Sequence, residues 1–135
     1  MIRSIRMKWM AGTVASVLGC LAASAEAESA PKGVTFEQQV KPILQRSCVD
    51  CHGAKQAKAK LRLDSLEGVL KGSEDGKVVL PGESAKSALI RAVTGTGKKA
   101  MPPKPKPGRN DGYKPVPLSP EEIVLLRAWV DQGAK

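Results

Sequence analysis

Residues Cys48-Val49-Asp50-Cys51-His52 put two thiols and one imidazole within five positions, and no Cys or His follows them in the chain. That combination leaves few folds open. A structural zinc site needs four N or S ligands, and nothing downstream can complete one. A dithiol redox pair is expected after a strand and within a βαβ pattern, and neither is visible around Cys48. C-x-x-C-H is the attachment signature of a c-type haem. Cys48 and Cys51 then form thioethers with the haem vinyl groups, and His52 is the proximal ligand of the iron.

The composition fits a chain that folds around such a group. With 135 residues there is room for one ordinary domain, and aromatic residues make up 3% of it: two Trp, one Tyr and one Phe. A covalently held porphyrin is a large, flat, apolar body that fills a core short of aromatic side chains. The plainer alternative is a small helical domain that manages with Leu, Ile, Val and Ala.

The first thirty or so residues read as targeting sequence. Arg3, Arg6 and Lys8 form a positive start, Trp9 to Ala23 carries no charge, and both Ala23-Ser24-Ala25 and Ala25-Glu26-Ala27 fit an A-x-A cleavage pattern. The apolar run is too short for an ordinary membrane-spanning helix. The expected organisation is a signal peptide over 1–25, a flexible lead-in over 26–33 and one domain over 34–135, exported to the periplasm. Val17-Leu18-Gly19-Cys20 also resembles a lipobox. On that second reading the signal ends at residue 19, and an acylated Cys20 anchors the protein to the membrane. On the first, Cys20 is discarded with the apolar run.

Signal removal takes Arg3, Arg6 and Lys8 with it and so lowers the formal charge of +9 by three. The remaining excess is spread over Lys55, Lys58, Lys60, Lys98, Lys99, Lys104, Lys106, Arg109 and Lys114. No arginine stripe or recognition helix accompanies it, which speaks against nucleic acid. A basic surface suits a protein redox partner with an acidic docking face; the alternative is solvated lysines with no partner role.

Phe36, Val40 and Ile43 or Leu44 recur at helical spacing and predict a first helix that leads into Cys48, with Pro42 calling for a kink or a late start. Phe36 is expected in the core. Leu61 to Asp64 alternates and reads as extended, followed by one or two helical turns over Ser65 to Leu70 capped by Asp64 or Ser65. The leucines here are expected to wall one face of the haem. Ser84 is expected to cap a helix over Ala85 to Val93, with Ser87 or Ala88 as alternative starts.

Met101 stands out next. The other methionines are Met1, Met7 and Met10, so Met101 is the only one outside the targeting segment. A thioether is a common sixth ligand of electron-transfer haem. Pro102 and Pro103 stiffen the loop that presents it. The alternative is a methionine that fills the core. Lys104 to Pro117 reads as a surface loop, with Tyr113 either covering it or bonded to a haem propionate. The last helix has Ser119 at N-cap, Pro120 at N1, Glu122 at N3 and Gly133 as its stop. Leu118 is placed to pack on Ile123, and Ile123, Leu126 and Val130 form its apolar face, widened by Leu125 and Trp129. Trp129 is expected to pack this helix on the first.

These residues together resemble a class I cytochrome c. They are most similar to the planctomycete-type domain: Phe36, Gln39-Val40, Pro42-Ile43-Leu44, Cys48 to Gly53, Leu61 to Ser65, Val79 to Gly82, Ser87, Leu89, Met101-Pro102-Pro103 and Leu118 to Ala134. The resemblance implies an all-α, cytochrome c-like fold with three to five helices around one haem, the first and last crossing. It also implies haem loading outside the bacterial inner membrane, His52 proximal and Met101 distal. The Lys104–Pro117 loop is longer and more basic than in that pattern. The expected function is a single-haem electron carrier and not an enzyme. The alternatives are a haem enzyme or gas sensor with an open or displaceable sixth site, or the electron-accepting subunit of a larger oxidoreductase complex.

Overall fold

Pro42 divides the first helical stretch. In the computed structural model, which describes residues 30–105, 107, 108, 112 and 114–135, Phe36–Val40 forms a wide π turn and α1 (Lys41–Ser47) continues from it. Inside a regular helix a proline ring collides with the carbonyl four residues back and supplies no N–H. The chain therefore opens by one residue. The Lys41 N–H reaches Phe36 O, and the Val40 N–H donates to Thr35 O at 3.4 Å. Pro42 then lies in the first turn of α1, where a missing N–H goes unnoticed. Phe36, Val40, Ile43 and Leu44 are all buried.

The remaining helices are α2 (Val49–His52), α3 (Leu66–Lys71), α4 (Ala88–Val93) and α5 (Pro120–Asp131), with a single 3-10 turn at Ser84–Lys86 and a tight turn of left-handed backbone at Lys58–Lys60. Among the described residues there is no β-strand, and no helix is long and apolar enough to cross a membrane. The expected all-α class is observed. Ser65 is the cap of α3, its hydroxyl accepting from the Gly68 N–H at 3.1 Å. The capping box of α5 is complete: the Ser119 hydroxyl accepts from the Glu122 N–H at 3.2 Å, and the Glu122 carboxylate accepts from the Ser119 N–H at 2.9 Å.

One core joins these pieces. Phe36, Val40 and Leu44 share one cluster with Leu126, Trp129 and Val130 of α5, and Leu63, Val69, Val79 and Ile90 are among its other members. Each such side chain removed from water contributes about 1.5–3 kcal/mol. As expected, Phe36 is core and Trp129 packs α5 on the first helical stretch. Their rings lie 5.8 Å apart at 45°. The Lys135 carbonyl oxygen accepts from both the Phe36 N–H at 3.0 Å and the Trp129 indole N–H at 2.9 Å.

Two local expectations are corrected. Ser84 does not cap a helix over Ala85 to Val93: its hydroxyl and N–H both donate to the Asp131 carboxylate of α5 at 2.8 Å. α4 instead follows Ser87, the nearer alternative start, whose buried hydroxyl accepts from Leu80 N–H at 2.9 Å and donates to Glu83 O at 3.0 Å. On α5, Ala128 is buried whereas Ile123 is only half-buried. A small side chain at that point lets the helix sit closer to the core.

Candidate functional site

The short helix α2 gathers three of the sequence-predicted site residues. α1 ends at Ser47, and Cys48 leaves helical geometry with φ −131° and ψ −35°. The next turn is closed by the Cys51 and His52 N–H groups, both donating to Cys48 O, at 3.1 and 2.9 Å. Both thiols therefore belong to a single turn, with the imidazole one residue on. Gly53 ends that turn at φ −120°, ψ −168°. A side chain there has no room, since a Cβ would stand 2.5 Å from Val49 O.

His52 is held at three atoms. Its N–H bonds back to Cys48, its carbonyl accepts from the Leu63 N–H at 2.7 Å, and its Nδ1 lies 3.1 Å from Lys58 O. A carbonyl can only accept, so Nδ1 carries the proton in this pair and Nε2 keeps its lone pair. Burial is the largest influence on this ring and pushes its pKa below the ordinary histidine value, against the opposing Lys58 carbonyl bond. The imidazole is neutral at pH 7, which is the form that ligates a metal.

Cys48 is half-buried, and burial pushes its thiol up to about 11, with Arg46 opposing. It is a protonated thiol at neutral pH, unlike the low-pKa thiolate of a dithiol oxidoreductase. The Lys58 ammonium approaches Cys51 Sγ at 3.7 Å. Among the described residues, no group of three or more His, Cys, Asp or Glu is arranged to hold a metal ion by itself.

Met101 belongs to a different element. The segment after α4 folds back on that helix: the Thr96 and Gly97 N–H groups both donate to Arg91 O at 2.9 Å, and the Met101 N–H donates to Ala92 O at 3.0 Å. Met101 is half-buried and joined to Pro102 by a cis peptide. Lys98, Lys99 and Lys104 are exposed on either side of it, and Lys55, Lys58 and Lys60 are exposed after α2. Residues 1–29, with Cys20 and the cleavage sites, lie outside the described residues, as do Lys106, Arg109, Asn110, Asp111 and Tyr113. An open groove between the lead-in and α5, lined by Pro31, Lys32, Val124 and Gln132 among others, contains none of the motif residues.

Two contributors were not legible in the sequence. The Lys58 carbonyl is a backbone group, and no side-chain pattern announces it. Arg46 grips the Glu122 carboxylate through both oxygens at 2.7 Å and so pins the end of α1, just before Cys48, to the start of α5. An arginine and a glutamate 76 positions apart carry no spacing signal.

Residues 48–105 match the family model described as Planctomycete cytochrome C, the family that the motifs resemble. No curated protein and no solved structure matches the chain. The matched segment contains both the C-x-x-C-H pentapeptide and Met101. The match to a cytochrome c family model points to covalently bound haem and to an electron-carrying role. The residues present fit that group: two thiols on one turn, and beside them a neutral imidazole whose Nδ1 is held by the Lys58 carbonyl.

Proposed function

We propose that this chain, with its Planctomycete cytochrome C segment, is a periplasmic electron carrier with a single haem c. Cys48 and Cys51 would hold the haem covalently, His52 would be its proximal ligand through Nε2, and Met101 its distal ligand. Bound haem supplies a one-electron Fe(III)/Fe(II) couple. The chain's own part is to fix the ligands and the surroundings. The hydrogen bond between His52 Nδ1 and Lys58 O is the observation that most supports the reading, because it holds the ring in the tautomer a proximal ligand needs. The backbone bond from Met101 to Ala92 anchors the second ligand's loop on α4. The exposed lysines beside α2 and Met101 would orient an acidic protein partner. Residues 34–135 would be the folded domain, released from a signal peptide over 1–25 or anchored by an acylated Cys20.

The test is an absorption spectrum of the exported, haem-loaded protein, oxidised and reduced, with and without carbon monoxide. Low-spin spectra, a sulfur-to-iron band in the oxidised form and no response to the gas are expected. In Met101→Ala the sulfur band disappears and the reduced protein binds carbon monoxide. A wild-type protein that binds the gas at once would overturn Met101 ligation and favour the enzyme or sensor, and a protein without covalent haem would overturn the whole reading.

A further inference from the structure

The loop after the motif contains two adjacent residues that have no conformational reason to be where they are. Ala59 and Lys60 have φ of +56° and +54°. The Leu61 N–H closes the turn onto Lys58 O at 3.1 Å. Positive φ at both central residues of a four-residue, i to i+3 bonded turn is the signature of type I′, which ordinarily takes Asn-Gly or Gly-Gly. Here an alanine and a lysine occupy it, and each Cβ crowds its own backbone. Both side chains are exposed, so neither is compensated by burial.

Strain of this kind persists only where the surroundings over-determine it. They do so here. The Lys60 N–H donates to Ala57 O at 2.9 Å, the Glu74 N–H donates to Ala59 O at 2.9 Å, and Ala57 bridges to His52 itself. The turn fixes the direction of the Lys58 carbonyl, which accepts from Leu61 and from His52 Nδ1 and is the stronger of the two backbone carbonyls, with that of Leu61, that act on the ring.

We propose that Ala59 and Lys60 form a positioning turn, whose left-handed backbone aims the Lys58 carbonyl at His52 Nδ1 and thereby sets how strongly Nε2 donates to a bound iron. The inference rests on His52 being the proximal ligand. A hydrogen bond accepted from Nδ1–H raises the basicity of the ring. A more basic imidazole favours Fe(III), and a weakened bond favours Fe(II). Neither residue touches the ring. They act through the carbonyl that precedes them.

The test compares Ala59→Val with Ala59→Gly in the haem-loaded mature chain. A β-branched residue at φ +56° is a conformational outlier, whereas glycine adopts it freely. Ala59→Val should raise the Fe(II)/Fe(III) ratio at fixed applied potential about three- to tenfold, a tenfold change being about 59 mV for one electron. Ala59→Gly should keep that ratio within about twofold of wild type while melting at a higher temperature. An Ala59→Val protein that melts lower with an unchanged ratio would show the turn to be merely structural and overturn the proposal. Should that variant fail to load haem, exchange of the His52 Nδ1 proton in the wild-type ferrous protein decides by NMR: slow exchange supports the bond, and exchange at the rate of free imidazole overturns it. If the wild-type spectrum lacks His ligation, the functional reading fails first, before either variant is made.

Discussion

Replacing Trp129 tests whether its contact with Phe36 joins the first helical stretch to α5. The indole is completely buried, lies tilted against the Phe36 ring, and donates to a carbonyl oxygen that Phe36 N–H also uses. Trp129→Phe keeps an aromatic ring beside Phe36 but removes the N–H and leaves a void. Lys135 O still accepts from Phe36, so no acceptor is orphaned and the lost bond is worth about 1 kcal/mol. A void of at least methyl size adds ~1 kcal/mol. The sum, about 2 kcal/mol, corresponds to a fall in Tm of roughly 8–16 °C for a domain of this size. Trp129→Ala should cost about 3–5 kcal/mol. A double-mutant cycle with Phe36→Leu should return a coupling of about 0.5–1.5 kcal/mol. Far-UV circular dichroism during urea unfolding is the suitable assay, because no other tryptophan follows Trp9 and fluorescence disappears with Trp129. A Trp129→Phe protein within about 0.5 kcal/mol of wild type would refute the claim that this contact joins the first turn to α5.

Ser119→Ala removes one half of the capping box and should destabilise the domain by about 1 kcal/mol, seen as a lower urea midpoint at unchanged slope. The Glu122 carboxyl is held below its ordinary range, first by the Ser119 N–H and then by Arg46. Its stabilising effect is therefore complete above the unfolded carboxylate pKa and is lost as pH falls through the lower folded value. Glu122→Gln should accordingly flatten the drop in Tm between about pH 5 and pH 2, and an unaltered slope would count against the pair. Gly53→Ala forces a Cβ to within 2.5 Å of Val49 O. Its destabilisation should be about 1–3 kcal/mol with less covalent haem per chain, and normal loading would show that the turn tolerates the displacement.

What could be read from the sequence is what depends on neighbours in the chain. The α5 capping box needs only Ser119, Pro120 and Glu122, and the structure has it intact. Ser65 likewise begins α3, and Gly95 ends α4 in left-handed geometry at φ +72°. The C-x-x-C-H spacing, too, is a local property: one turn of helix brings the two thiols together wherever it occurs. The Pro42 kink was also legible, but its form was not. The bonds from Lys41 to Phe36 and from Val40 to Thr35 show that the chain widens by one residue instead of bending sharply.

The illegible features share one physical origin, competition between local and distant partners. Ser84 has the residue type of a cap, yet the Asp131 carboxylate, 47 positions away, takes both its hydroxyl and its N–H. A charged acceptor forms the stronger hydrogen bond, so the distant partner displaces the local role and α4 starts later. The same logic governs Ala59 and Lys60. Local propensity opposes their backbone, while bonds from Glu74 and to Ala57 enforce it. Where a local rule is broken and bonds on both sides of the break, one of them distant, hold it open, the group that those bonds orient is the place to look for function. Here that group is the carbonyl on His52.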